Sequence, residues 1–103
     1  MKLLTKAIEE RFAKLGKQDV PDPIVVCKFF NPSGAGTWYA TSYDPKMDEF
    51  FGWVTLGAIN DQDAELGYFS HTELREYKGM FGLGIERDLH FEERKLSEVK
   101  RDE

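Results

Sequence analysis

Few side chains in this sequence have chemistry to offer. Cys27 is the single cysteine, and His71 and His90 are the two histidines. His71 follows Ser70 in Ser70-His71-Thr72-Glu73, a string that starts a helix, so its ring would stand in the first turn. There the helix dipole disfavours an imidazolium, which makes His71 a candidate neutral base. A surface histidine at that position is the plainer reading. Cys27 lies among Val25, Val26 and Phe29, where a thiol is a small buried hydrophobe rather than a low-pKa nucleophile. No G-x-S-x-G elbow occurs. No catalytic residue is assigned, and a small hydrolase or transferase ranks third among the functions considered.

Cofactor chemistry has equally little support. Asp61-Gln62-Asp63-Ala64-Glu65 alternates three carboxylates like the start of a calcium loop, but it lacks the turn glycine and the closing bidentate glutamate. Gly34-Ala35-Gly36 and the stretch from Gly79 to Gly84 lack the Gly-Lys-Ser/Thr ending of a phosphate loop. The second of these also follows a helix instead of a strand. Neither a metal nor an organic cofactor is expected.

Binding is better represented. The net charge of −5 is concentrated between Asp44 and Glu65, which hold six of the 19 acidic residues and one of the 14 basic ones; the remainder balances at 13 of each. Charge gathered in one segment sets a local potential, so Asp61, Asp63 and Glu65 are candidates for contact with a basic protein surface. Met80, Phe81, Leu83 and Ile85 are too many large apolar groups for a free loop; at least Phe81 and Ile85 are expected under a helix or at a partner surface. Arg87 follows at once and could grip a neighbouring carboxylate in a bidentate pair. The alternative is a single-stranded nucleic acid stacked on sheet aromatics, with Lys28, Trp38 and Trp53 as the candidates. The acidic balance counts against it, since such sites want a positive track. The leading expectation is an accessory protein that binds a protein partner; oligomeric state is left open.

These side chains need elements to position them. Ser70 and Glu73 have capping-box spacing, and Phe69 and Leu74 stand where a hydrophobic staple would close over the same turn; a helix is expected over Ser70–Lys78 with Gly79 as its stop. Ile8, Phe12 and Leu15 repeat at helical spacing, with Thr5 as cap and Gly16 as terminator. Ile24–Phe30 reads as one central strand, Thr37–Tyr43 as its hairpin partner, Phe50–Ala58 as a third strand and Glu65–Phe69 as a fourth. Asp88–Glu92 alternates as a last short strand, and Lys95–Glu103 reads as a charged tail that frays. The order predicts an α+β single domain over residues 1–103, with a mainly antiparallel four- to five-stranded sheet and two helices on one face.

At 103 residues, with 14% aromatics, the chain can fill a core without disulfides. Lys6 interrupts the N-terminal segment too soon for a signal-peptide apolar region, and no apolar run approaches a membrane span. A cytoplasmic protein is expected.

Lys28-Phe29-Phe30, Thr37-Trp38-Tyr39, Phe50-Phe51-Gly52, Glu65-Leu66-Gly67-Tyr68-Phe69-Ser70 and Gly84-Ile85-Glu86-Arg87-Asp88-Leu89-His90-Phe91 together resemble a family catalogued as domain of unknown function 2958. Its members are small proteins and domains of bacteria, phages and plasmids. The likeness runs from the opening Met1-Lys2-Leu3-Leu4-Thr5 to Leu96-Ser97-Glu98-Val99, with Gly84 standing where the family pattern has proline. The resemblance implies mobile-element biology and carries no activity, cofactor or site residue with it.

Overall fold

The computed structural model describes residues 1–57 and 64–102. Helix α1 (Lys6–Leu15) begins where the Thr5 hydroxyl accepts the Ile8 amide at 3.2 Å, and it ends at Gly16, whose φ of 67° suits a residue without Cβ. Phe12 is its buried residue, and Ile8 and Leu15 pack beside it.

Five strands follow that build one antiparallel sheet in the order β5-β4-β3-β2-β6: β2 (Cys27–Phe30), β3 (Thr37–Asp44), β4 (Glu49–Thr55), β5 (Ala64–Ser70) and β6 (Glu86–Arg87). A second, two-stranded sheet joins β1 (Ile24–Val25) to β7 (Arg94–Lys95). The expected single strand over Ile24–Phe30 is thus divided at Val26. Its first two residues pair with β7, while the Val26 amide still donates to the Ala40 carbonyl at 2.9 Å.

The division coincides with a shift of register in β3 between Ala40 and Ser42. Thr41, at that bulge, is buried, and its hydroxyl donates to the Phe51 carbonyl at 3.1 Å. Its own carbonyl accepts from Gln18 Nε2 at 2.6 Å, and the same Gln18 amide group exchanges two bonds of 2.8 Å with the backbone of Ile24. One side chain therefore satisfies the backbone groups that the bulge takes out of the ladder.

Helix α2 (His71–Glu76) starts as its sequence requires: Ser70 accepts the Glu73 amide at 3.1 Å, and Phe69 and Leu74 are both buried in the main core. It ends earlier than Gly79. Tyr77 turns extended, at φ −62° and ψ 135°, and Asn31 Nδ2 donates to its hydroxyl at 3.3 Å, drawing the ring toward the β2–β3 loop.

Two further expectations are corrected. The strand read over Asp88–Glu92 is a turn, because Asp88 accepts the His90 amide through its side chain at 2.9 Å and the Phe91 amide through its carbonyl at 3.3 Å. The pairing strand is β6, just before it. The tail expected to fray instead forms β7 and helix α3 (Leu96–Asp102), with Leu96 and Val99 buried against Val25 and Tyr39. Its first-turn amides have partners far away in sequence. Pro23 O accepts from Leu96 at 2.8 Å, and Asp22 accepts from both the amide and the hydroxyl of Ser97, at 2.8 and 2.7 Å.

The fold is α+β. Helices α1 and α2 cover one face of the sheet over Phe12, Phe29, Ala40, Phe50 and Phe69. Helix α3 covers part of the other, over Val25 and Tyr39, with Trp53 and Phe91 beside them. No helix among the described residues is long and apolar enough to cross a membrane.

Candidate functional site

Among the described residues the most exposed large apolar side chain is Phe81, at 90% exposure. Its position follows from a tight turn. Leu83 N–H donates to Met80 O at 3.1 Å, and Phe81 and Gly82 between them have φ of 59° and 73°. Two consecutive positive φ values define the primed turn that closes two-residue hairpins. Gly79 N–H donates to Leu83 O at 2.7 Å below it, so the turn stands on a short hydrogen-bonded neck. The base of that neck is crowded: a Cβ on Gly79 would lie 2.5 Å from Ser33 Oγ and 2.9 Å from the Tyr77 hydroxyl.

Glycine is at home at Gly82, but Asn or Asp is preferred where Phe81 stands, because a left-handed backbone is unfavourable for a bulky residue. Met80, Leu83 and Tyr77 are also exposed around it. Of the two residues expected under a helix or at a partner surface, Ile85 is in the core and Phe81 is the outward tip. The string from Gly79 to Gly84 reads as a flexible connection only until Phe81-Gly82 is recognised as a turn dipeptide.

Arg87 takes a different partner from the expected carboxylate. Its Nη1 donates to the carbonyls of Lys2 and Leu3, the latter at 3.1 Å. It fastens the N-terminal segment beside β6, which pairs with Phe29 and Phe30 of β2. Asp61 and Asp63 lie outside the described residues, and Glu65 is exposed on β5.

The three nucleic-acid candidates do not share a surface. Register partners place Lys28, Tyr39, Trp53 and Leu66 in one row across the face that carries α3. Trp38 belongs to the row Phe29, Trp38, Val54 and Glu65 on the opposite face, packed against the main core. Lys28 Nζ lies 3.8 Å from Asp88 and 5.6 Å from the Tyr39 ring centre. Lys100 of α3 stands 4.0 Å from the Trp53 ring centre. Beyond α3 the same face continues with Phe51 and Tyr68, whose rings meet edge-on at 4.8 Å.

A polar cluster joins the β3–β4 turn to α2. Asp48, at φ 52°, accepts from the Tyr43 hydroxyl at 2.6 Å and from the Thr72 hydroxyl at 2.8 Å, and lies 2.9 Å from His71 Nδ1. Its carbonyl also accepts the His71 amide at 3.1 Å. The His71 ring is wedged edge-on against Phe50 and Tyr43, at 5.6 and 6.3 Å. Partial burial pulls the Asp48 pKa upward, but the bonds from Tyr43, Thr72 and His71 outweigh it and hold the carboxyl near about 2. Burial, followed by the bond to Asp48, raises the Tyr43 pKa. The candidate base is thus one spoke of a carboxylate hub that staples turn to helix. The hub is hidden in the sequence because Asp48 and His71 are 23 residues apart. Cys27 is buried in the core, and burial pushes its thiol up to about 12, as its neighbours imply.

The hub gives a pH dependence of definite sign. A carboxyl with a folded pKa of about 2 against an ordinary value of 3.8 contributes stability that is complete above about pH 4 and fades as pH falls through the folded value. Asp48→Asn should therefore melt below the natural protein at neutral pH, and the gap should narrow on acidification toward pH 2. A melting-temperature difference that stays constant over that range would show that the Asp48 charge plays no part.

Fold and surface together define a small α+β protein with an aromatic turn held out from its sheet. The chain belongs to the family described as Protein of unknown function (DUF2958), whose model matches residues 2–101. No curated protein and no solved structure matches it.

Proposed function

We propose that this chain is an accessory binding protein, acting through a protein partner rather than through catalysis, with the Met80–Leu83 turn as its principal contact. The observation that carries this reading is the Phe81 ring, almost wholly exposed on a left-handed backbone. Retaining a bulky residue there works against folding by roughly 1–2 kcal/mol and exposes apolar surface. The exposed apolar surface is covered when the ring enters a pocket, while the turn keeps its backbone conformation. A rigid aromatic on a pre-formed turn loses little conformational freedom on docking, the character of an interface hot spot. Tyr77, Met80 and Leu83 around it would form an apolar rim.

A single-stranded nucleic acid takes second place. Tyr68 on the open part of the sheet, and half-buried Trp53 with Lys100 of α3 beside it, favour it. The engagement of Lys28 with Asp88 and the acidic balance weigh against it.

Phe81→Asn separates folding from binding. Asparagine tolerates the left-handed turn, so the variant should be as stable as the natural protein or gain up to about 1 kcal/mol. A photo-reactive phenylalanine analogue at position 81, introduced in the native host, should yield one discrete cross-linked protein adduct. The same analogue at exposed Leu89 should yield none. Absence of any adduct at position 81, or adducts of equal yield at both positions, would remove the basis of the proposal.

A further inference from the structure

The two edges of the five-stranded sheet are treated differently. The β6 edge is two residues long, and Arg87 within it is fastened to the N-terminal segment. The β5 edge is seven residues long, has no proline, lysine or bulge, and carries Glu65 as its one charge. Among the described residues no strand lies beyond it. Leu66 and Tyr68 on this strand are 50% and 73% exposed. Natural sheets protect long edges, since a free row of amides and carbonyls is a template for another strand.

The direction of that row can be worked out. His71 N–H donates to Asp48 O, and groups along an antiparallel strand alternate between its two sides. Residues 65, 67 and 69 therefore bond toward β4, and Ala64, Leu66, Tyr68 and Ser70 direct their amides and carbonyls outward. The Thr41 bond to Phe51 O agrees, because Phe51, the register partner of Tyr68, faces β3.

We propose that β5 is a self-pairing edge: two copies of this chain join antiparallel along β5 about a two-fold axis at Gly67. This register pairs all seven residues of each strand. Ala64 meets Ser70 of the second copy, and Leu66 meets Tyr68, so all four outward-facing residues of each copy find partners. Leu66 and Tyr68 share a face, so the contact is apolar and self-complementary, with Phe51 behind Tyr68. On the other face the two Gly67 residues meet at the axis, where a Cβ would find nothing within 4 Å in its own chain. Each Glu65 falls opposite Phe69 of the other copy. The two carboxylates are then four positions apart, on the order of 13 Å along the strand and past the roughly 8–10 Å screening length of ordinary buffers, so like charges do not meet. The joined edge buries little beyond the strand itself and belongs at the low end of stable interfaces, below about 1,200 Å² in total. Association in the micromolar range or weaker follows.

Sedimentation of the full chain from low-micromolar to near-millimolar concentration tests this, together with two variants. The natural protein should pass from monomer to dimer across the series. Tyr68→Lys, which places a charge in the Leu66 contact while altering a mostly exposed side chain, should weaken association tenfold or more with an unchanged far-UV circular dichroism spectrum. Gly67→Cys should form a disulfide-linked dimer under mild oxidation far faster than a Leu89→Cys control. Facing non-hydrogen-bonded residues bring their Cα atoms to about 4.5 Å, and the buried Cys27 does not compete. A chain monomeric at every concentration, a dimer undiminished by Tyr68→Lys, or Gly67→Cys linking no faster than the control would each overturn the proposal. A dimer lost on Phe81→Asn but retained in Tyr68→Lys would overturn it too, and would make a second copy the partner of the turn.

Discussion

Phe50→Ala will reduce the unfolding free energy by about 3–5 kcal/mol, the usual result of deleting a fully buried ring. Phe50 is 0% exposed, and its ring centre lies 5.0–5.9 Å from those of Tyr43, Phe29, Phe69, His71 and Phe12. These neighbours belong to α1, to strands β2, β3 and β5, and to α2. Because they come from so many elements, the vacancy cannot be filled by one local shift, and the cavity remains. A protein of this length has roughly 5–15 kcal/mol to lose, so the variant should be partly unfolded at moderate temperature. Urea denaturation measures the loss. A loss no larger than that of an exposed-site substitution would mean that the rings do not form the centre of the core.

Gly52→Ala should be nearly as severe, through crowding instead of a void. A Cβ at Gly52 would stand 1.8 Å from the Tyr39 carbonyl oxygen, 2.8 Å from its carbon and 3.0 Å from Ala40 Cα. All three atoms are backbone, next to the β3 bulge, and none can rotate away. Strands β3 and β4 must separate, at about 3 kcal/mol or more, the upper end of overpacking effects. Gly67, its register partner on β5, is the control. A Cβ there meets nothing within 4 Å, so Gly67→Ala should be neutral or slightly stabilising, since alanine restricts the unfolded chain. The pair of urea midpoints carries the test: equal shifts in the two variants would contradict the close approach at Gly52.

The parts of the fold that can be read from sequence rest on contacts a few residues apart. Ser70, Glu73, Phe69 and Leu74 announce the start of α2 because cap and staple lie within one turn. Thr5 and Gly16 bound α1 for the same reason. The parts that cannot be read depend on partners far away. Nothing near Leu96 shows that Asp22 and Pro23 will cap α3, so a charged terminal segment looks free to fray. Nothing near Val26 reveals that Gln18 will hold the Thr41 bulge and that the strand will divide there.

The candidate site follows the same rule with one exception. Arg87 seeks backbone carbonyls 84 and 85 residues away, and Asp48 gathers Thr72 and His71 across the sheet. Phe81-Gly82 is local, yet phenylalanine is a poor turn former where asparagine is the usual signal. Its apolar character points to burial, and the exposed ring is the result of the turn prevailing.

The hold of Arg87 on the carbonyls of Lys2 and Leu3 has a consequence for synthesis. Residues 2 and 3 are fastened by a side chain made more than eighty positions later. Until position 87 has left the ribosome, β2 has no outer neighbour, and Leu3 and Leu4, both core residues, have nothing to hold their backbone in place. The β3–β4 hairpin needs no such wait, because its contacts are close in sequence. A chain released early would therefore display an open strand edge beside loose apolar residues, which invites aggregation and recognition by chaperones. Translation through Arg87 is thus what lets β6 cover the β2 edge and fix the Lys2–Leu3 segment beside it.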